Sequence, residues 1–291
     1  MKTGYSGLDK KFNLLAPGEL TVLAGPAHVG KTSLAVNIAR HRLVEQEESV
    51  VYFTLDEGIA ELGERFIHLD TEIPLFKQQH RIEADEMEDA RLEEYELDID
   101  EEDNYSSQVK ESALRYQQLI EEDRLTIYDG DELTLAELQS LIYEKFSHAD
   151  FIVVDDIRYL EISRDRDIEK PEGKMLSIIY AELRKLAREL EIPLLLLYRA
   201  GEEDARELGS EVDTVALLER PDYCSEQREW DRELKVHLNS IPEPAILHVI
   251  HNSTGPTGEH QFLWEAPLLQ FKEHSEEKDK IISDTFSDFK K

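Results

Sequence analysis

The sequence predicts an α/β fold, a mostly parallel sheet flanked by helices, with antiparallel strands at the C-terminal side. Three observations carry that expectation. A glycine-rich motif, Gly25-Pro26-Ala27-His28-Val29-Gly30-Lys31-Thr32, separates a short apolar run from a helical one, which is the strand, loop and helix of a phosphate-binding P-loop. Runs of β-branched and aliphatic residues then alternate with helical periodicity, as in a doubly wound domain. Beyond Pro221, closely spaced strand candidates surround a turn sequence, Gly255-Pro256-Thr257-Gly258.

Taken in order, the first strand is Glu19 to Ala24, and the helix after the loop is Lys31 to Leu43, with Leu34, Ile38 and Ala39 on one side. Further strands are expected at Ser49 to Leu55, Leu125 to Tyr128, Phe151 to Asp155, Pro193 to Tyr198 and Thr214 to Leu218. These runs are apolar without alternation, the pattern of parallel strands buried on both faces. Helices are expected at Ile59 to His68, Leu135 to Phe146 and Lys174 to Leu190. The last has Leu176, Ile179, Leu183, Leu186 and Leu190 at helical spacing and is read as packing on the core. An insertion from about Asp70 to Asp123 breaks the rhythm with acidic clusters such as Glu93-Glu94-Tyr95-Glu96, and reads as helices joined by a mobile acidic loop. Glu233 to Leu238, Ala245 to Ile250 and Gln261 to Trp264 are the antiparallel strands. These segments define one domain over residues 1–271, and residues 272–291 are expected to be a charged peripheral tail. No internal repeat is visible.

The chain has 291 residues, and its 40% apolar content suffices for a substantial core. A formal charge of −32, from 65 acidic against 33 basic side chains, repels a polyanion on average and argues against nonspecific DNA binding. It is explained either as a solubility or salt adaptation, or as a surface for a basic protein partner. The single cysteine, Cys224, excludes an intramolecular disulfide and the usual cysteine-rich zinc sites, which fits a reducing compartment. The start of the chain lacks the apolar run of a signal peptide, and no segment has the length of a membrane span. A cytoplasmic location and no membrane partner are expected.

The P-loop carries the chemistry. Gly25, Pro26, Ala27, His28, Val29, Gly30, Lys31, Thr32 and Ser33 are the expected nucleotide-binding residues, with backbone N–H groups turned to the phosphates. Lys31 would reach the β and γ phosphates and the Thr32 hydroxyl would ligate Mg2+. His28 is read as solvent-facing or stacking, since backbone donors do the loop's work. Asp155, ending an apolar strand, is the expected second Mg2+ residue, with helix capping as the alternative. Asp56 and Glu57, at the carboxyl end of another strand, are candidates to orient water, or else cap the helix beginning near Gly58.

With these segments in order, the chain resembles the C-terminal motor domain of the DnaB-type replicative helicases, a RecA-like P-loop NTPase. The likeness spans most of the chain. It rests on Thr3-Gly4-Tyr5-Ser6-Gly7-Leu8-Asp9, Pro17-Gly18-Glu19-Leu20, the P-loop, Phe53-Thr54-Leu55-Asp56, Ile152-Val153-Val154-Asp155, Leu183 to Pro193, and the Gly255-Pro256-Thr257-Gly258 turn. A RecA-like recombinase or a clock-type ATPase fits this turn less well. The resemblance implies ATP and Mg2+ as ligands, a hexameric ring or another helicase-family subunit, and single-stranded DNA as partner. It gives Asp56 the place of the family's catalytic glutamate, and it leaves no length for the family's helical N-terminal domain.

The departures are as informative. Where the family carries an arginine finger before its Gly-Pro-Thr-Gly turn, this chain has His251-Asn252-Ser253-Thr254. A finger is worth roughly 10³ to 10⁵ in rate, so its loss predicts slow or absent turnover with nucleotide binding kept. Asp56 also reaches one methylene less far than glutamate. Tyr198-Arg199 replaces the family's Ser-Gln sensor; Arg199 is read either as a catalytic replacement for the finger in cis, or as a surface side chain paired with Glu202 or Glu203. The DNA-contacting loop of the family is expected here as a short acidic loop, Gly201-Glu202-Glu203-Asp204, which repels phosphate. Two functions remain open: an ATP-binding helicase relative with weakened hydrolysis, and a noncatalytic nucleotide-dependent protein whose segment Glu83 to Asp103 meets a basic partner.

Overall fold

The computed structural model describes residues 2–71, 99–130, 133–162, 172–221 and 242–274. It begins with helix α1 (Ser6–Phe12), β1 (Leu20–Gly25), α2 (Lys31–Glu45), β2 (Val50–Thr54), α3 (Ile59–Thr71) and α4 (Ile99–Glu121). Then come β3 (Leu125–Asp129), α5 (Leu135–Lys145), β4 (Phe151–Asp155), a 3-10 turn (Ile157–Tyr159), α6 (Glu172–Leu190), β5 (Leu194–Arg199), α7 (Glu202–Glu207) and β6 (Thr214–Glu219). Strands β7 (Glu243–Asn252), β8 (Gly258–Glu265) and β9 (Gln270–Glu273) complete the described chain. Among the described residues no helix is long and apolar enough to cross a membrane.

The described strands form a nine-stranded sheet in the order β3-β2-β4-β5-β1-β6-β7-β8-β9. Pairing is parallel from β3 to β6 and antiparallel from β6 to β9, as expected from the change in sequence character. In β1, Leu20, Val22 and Ala24 join one core layer with Leu138 of α5 and Ile179 and Leu183 of α6. Leu23 joins the other, with Leu34 and Ile38 of α2 and Phe66 of α3. Both faces of the strand are therefore apolar, which is why its sequence does not alternate. In β7 burial alternates instead: Ala245, Leu247 and Val249 are buried in the second layer, whereas Ile246 and His248 between them are only partly covered.

Local chemistry sets several boundaries. Thr134 caps α5 reciprocally with Glu137, so the helix begins at Leu135. Asp213 accepts from the Leu20 amide at 3.1 Å and from Arg184 at 2.6 Å, tying the start of β1 to β6 and α6. Helix α6 buries Ile179, Leu183 and Leu186, the core-facing side read from its spacing.

The architecture departs from expectation at three places. Helix α1 has no counterpart in the expected elements; its Leu8 and Phe12 are buried against the sheet. Residues 202–204 open helix α7 and are not a loop, because three carboxylates suit the first turn of a helix and Glu202 pairs with Arg206 at 2.5 Å. The sheet also runs to Glu273, so Lys272 and Glu273, expected in the peripheral tail, belong to β9. Glu273 accepts from the Gly7 amide at 2.6 Å and clasps α1 to that edge. The acidic run from residue 83 to 98, Cys224, the strand expected at Glu233 to Leu238 and the tail beyond His274 lie outside the described residues.

Candidate nucleotide-binding site

Strand β1 delivers the P-loop to the carboxyl edge of the sheet. A side chain at Gly25 would meet the Leu218 carbonyl oxygen at 2.7 Å, so β6 can pass this close only to a glycine. Gly30 has φ 104°, and a Cβ there would lie 2.9 Å from the ring of Phe271 on β9. Between them Val29 is buried and anchors the loop, whereas His28 is exposed, with φ 59°. Gly30 caps α2 without a side-chain acceptor, so the amides of the first turn face the loop's concavity.

Lys31 is buried, and its ammonium donates to the carbonyls of Gly25 at 3.0 Å and Pro26 at 2.9 Å. Burial holds its pKa below the ordinary lysine range, against the opposing pull of the Asp156 and Asp155 carboxylates. Asp155 ends β4, separated from β1 by β5, and is 7% exposed. Its Oδ2 accepts from the Tyr52 hydroxyl at 2.9 Å, and the Thr32 side chain also hydrogen-bonds to it. Burial raises its pKa to about 6, although both hydrogen bonds pull it down. The P-loop threonine and the β4 aspartate, far apart in the sequence, thus meet over the end of β5.

A hydroxyl and a carboxylate are hard oxygen donors that suit Mg2+. Among the described residues no group of three or more His, Cys, Asp or Glu side chains could hold a metal by itself. The donor set fits a cation that keeps most of its waters and shares substrate phosphates, as Mg2+ does.

The other expected residues are distributed unevenly around this centre. Asp56 is exposed just after β2 and receives a hydrogen bond from Tyr159. Glu57 is engaged by Arg65, with contacts of 2.8 and 2.6 Å, and Arg65 also lies 3.5 Å from the Ser33 hydroxyl. Ser33 is itself buried under the loop. Arg199 ends β5 in register with Gly25 and is exposed. Among the described residues Arg199 makes no ion pair with Glu202 or Glu203, the partners that one reading of the sequence offered, and Glu202 pairs with Arg206 one helical turn away. The charge of Arg199 helps to lower the Lys31 pKa, after the larger effects of burial and of the two aspartates.

In the stretch without a finger, Asn252 donates to the Phe12 carbonyl at 2.8 Å and accepts from the Thr254 and Gly255 amides at 3.1 and 2.8 Å. Its side chain is thereby committed to its own turn and to α1.

Several residues of the site are not foreseen from the sequence. Arg65 lies on α3 and Glu57 in the bend before it, so no helical spacing signals their pairing. Tyr52 carries a polar tip inside the apolar run Val50 to Phe53, a local hint of its contact with Asp155. Arg158, paired with Asp156 at 3.1 Å, follows directly on β4. Phe271 and Arg220 leave no local signal: one backs Gly30, and the other reaches the His28 carbonyl at 3.4 Å while lying over the Trp264 ring.

Comparison with known proteins converges on one family. Residues 1–273 match the DnaB-like helicase C terminal domain. The replicative DNA helicase DnaB of Leifsonia xyli subsp. xyli is 24% identical over 233 residues, 75% of this chain and 46% of the relative. The replicative DNA helicase DnaC of Bacillus subtilis is 25% identical over 245 residues, 78% of this chain and 48% of the relative. The chain spans about half the length of such curated relatives. Among solved structures, a DnaB-like replicative helicase superposes with a TM-score of 0.68 at 16% identity, covering 94% of this chain and 62% of that one. The RadB recombinase gives 0.56 at 18% identity, covering 94% and 99%. These likenesses are of fold, the RecA-like arrangement of strands and helices.

Proposed function

The chain belongs to the DnaB-like helicase C-terminal domain family, and from that premise we propose that it binds ATP with Mg2+ and hydrolyses it slowly. One observation carries the reading: the first turn of α2, Lys31, Thr32 and Asp155 converge at the carboxyl edge of the sheet.

In this reading the amides from Gly25 to Ser33 cradle the phosphates. Lys31 exchanges its two loop carbonyls for phosphate oxygens, a transfer between acceptors that leaves its buried charge paired throughout. Thr32 and Asp155 would hold Mg2+, which when bound neutralises phosphate charge and fixes the geometry of the leaving group. Asp56 is the better candidate to orient water, since Arg65 occupies both carboxylate oxygens of Glu57. Arg199, exposed beside the loop, would supply positive charge in cis.

Slow turnover is supported by Asn252. Its side chain is bonded into the turn where the family carries a finger, and it has no positive charge to offer a neighbouring subunit. Ring assembly, single-stranded DNA as ligand and a cytoplasmic location are the partner and setting we propose by family membership. The same commitment of Asn252 favours a second reading, a nucleotide-dependent binding protein without useful hydrolysis that engages a basic partner.

Equilibrium binding of ATP with Mg2+, alongside a DNA-stimulated ATPase assay, tests both readings. Wild type is expected to bind ATP, and Lys31→Ala to weaken binding by at least about 2 kcal/mol, the scale of a lost charge-assisted contact. Unaltered binding in Lys31→Ala would falsify the site. Turnover at the rate of an enzyme with its finger intact would remove the support that Asn252 gives.

A further inference from the structure

Tyr52 lies in the middle of β2, and its ring is fully buried in the layer that also holds Leu34 and Leu62. Phenylalanine would fill the same space without taking a hydroxyl out of water, a burial that is unfavourable unless the group is bonded. Here the hydroxyl crosses from β2 to its neighbour β4 and donates to Asp155 Oδ2 at 2.9 Å. The Thr32 side chain is also bonded to that carboxylate, and it belongs to the nucleotide-facing turn of α2. Tyr52 belongs instead to the sheet. A donor fixed in a central strand holds the carboxylate in place whatever the loop does, as the outer partners of metal ligands do.

We propose that Tyr52 is a positioning residue for the Mg2+ site, acting through Asp155 and touching neither metal nor nucleotide. It pins one carboxylate oxygen from the core side and leaves the remaining acceptor capacity of Asp155 to the hydrated cation. The inference rests on the reading of Asp155 as a Mg2+ residue.

The test is a titration of Mg2+ into the protein with a fluorescent ATP analogue, read as nucleotide binding and not as turnover. Tyr52→Phe should raise the Mg2+ concentration for half-maximal binding about tenfold, the lower end of what outer partners of metal ligands contribute. Binding in EDTA should match wild type. Tyr180→Phe, which removes another buried hydroxyl from the opposite core layer, should leave the titration unchanged. In an Asp155→Asn background, adding Tyr52→Phe should change nothing further, because the carboxylate it positions is gone.

A wild-type midpoint in Tyr52→Phe overturns the proposal. So does an equal shift in both backgrounds, which would mark a packing effect independent of Asp155. Should wild type bind the analogue without regard to Mg2+, the parent reading of Asp155 falls first and this one with it. A Mg2+-dependent wild type with an indifferent Tyr52→Phe isolates the failure to Tyr52.

Discussion

Asp155 shows what a single residue gives up for its position. Its carboxyl group is enclosed by the sheet and by α2, and burial outweighs the hydrogen bonds from Thr32 and Tyr52, so its pKa rises to about 6. A carboxyl group whose folded pKa exceeds its unfolded value contributes stability that is complete below the unfolded pKa and is lost as pH rises through the folded one. Asp155→Asn is therefore expected to stabilise the protein by roughly 1–3 kcal/mol near about pH 8, from a shift of about two pKa units, while weakening the Mg2+ dependence of nucleotide binding. The gain should fade between about pH 6 and pH 4, as the wild-type carboxyl becomes neutral in both states. Urea denaturation across that range measures it. A variant less stable than wild type at about pH 8 would mean that the hydrogen bonds of the ionised group outweigh its burial.

At the scale of elements, β1, the P-loop and α2 were legible in the sequence because each carries its own signature over a few residues. Strand β9 was not. Gln270 and Phe271 close the expected domain without a strand signal, Lys272 and Glu273 open the expected charged tail, and only pairing with β8 joins the four into a strand. Yet this strand sets Phe271 against Gly30, and Phe271 packs on Trp264 with ring centroids 4.5 Å apart. Phe271→Ala is expected to cost roughly 3–5 kcal/mol of stability through the cavity it leaves. Because that cavity adjoins the loop, nucleotide affinity should also fall, by about tenfold, on the scale of a contact worth about 1.4 kcal/mol, under conditions where the variant is still folded. Denaturation and binding measured on the same preparation separate the two effects; a stability loss with wild-type affinity would show that the loop holds its shape without the Phe271 ring.

For the whole molecule the question is assembly. The chain carries −32 formal charge, which opposes close packing of identical copies at low salt and is screened within about 8–10 Å at physiological ionic strength. If the family's ring forms, with nucleotide lying between copies as the resemblance implies, mass in solution should rise with ATP and Mg2+, and more readily at moderate than at low salt. Light scattering with and without nucleotide checks this. A monomer under every condition would favour the switch-like binding protein over a motor. The same charge predicts weak, salt-sensitive contact with single strands, confined to any local basic surface.

Fold class, P-loop, the strand that ends in Asp155 and the family could all be read from the residues in order, because each is written in short contiguous segments. Strand burial shows as unbroken apolar runs, and a phosphate loop shows as glycines at set intervals before a lysine. Which polar groups meet became visible only once the chain was folded. Tyr52 finds Asp155 on the neighbouring strand, Arg65 claims Glu57, Asn252 is bound to the carbonyl of Phe12, and Phe271 closes on Gly30. Most of these contacts join residues far apart in the chain, and hydrogen-bond direction and side-chain packing settle them after the strands have chosen their neighbours.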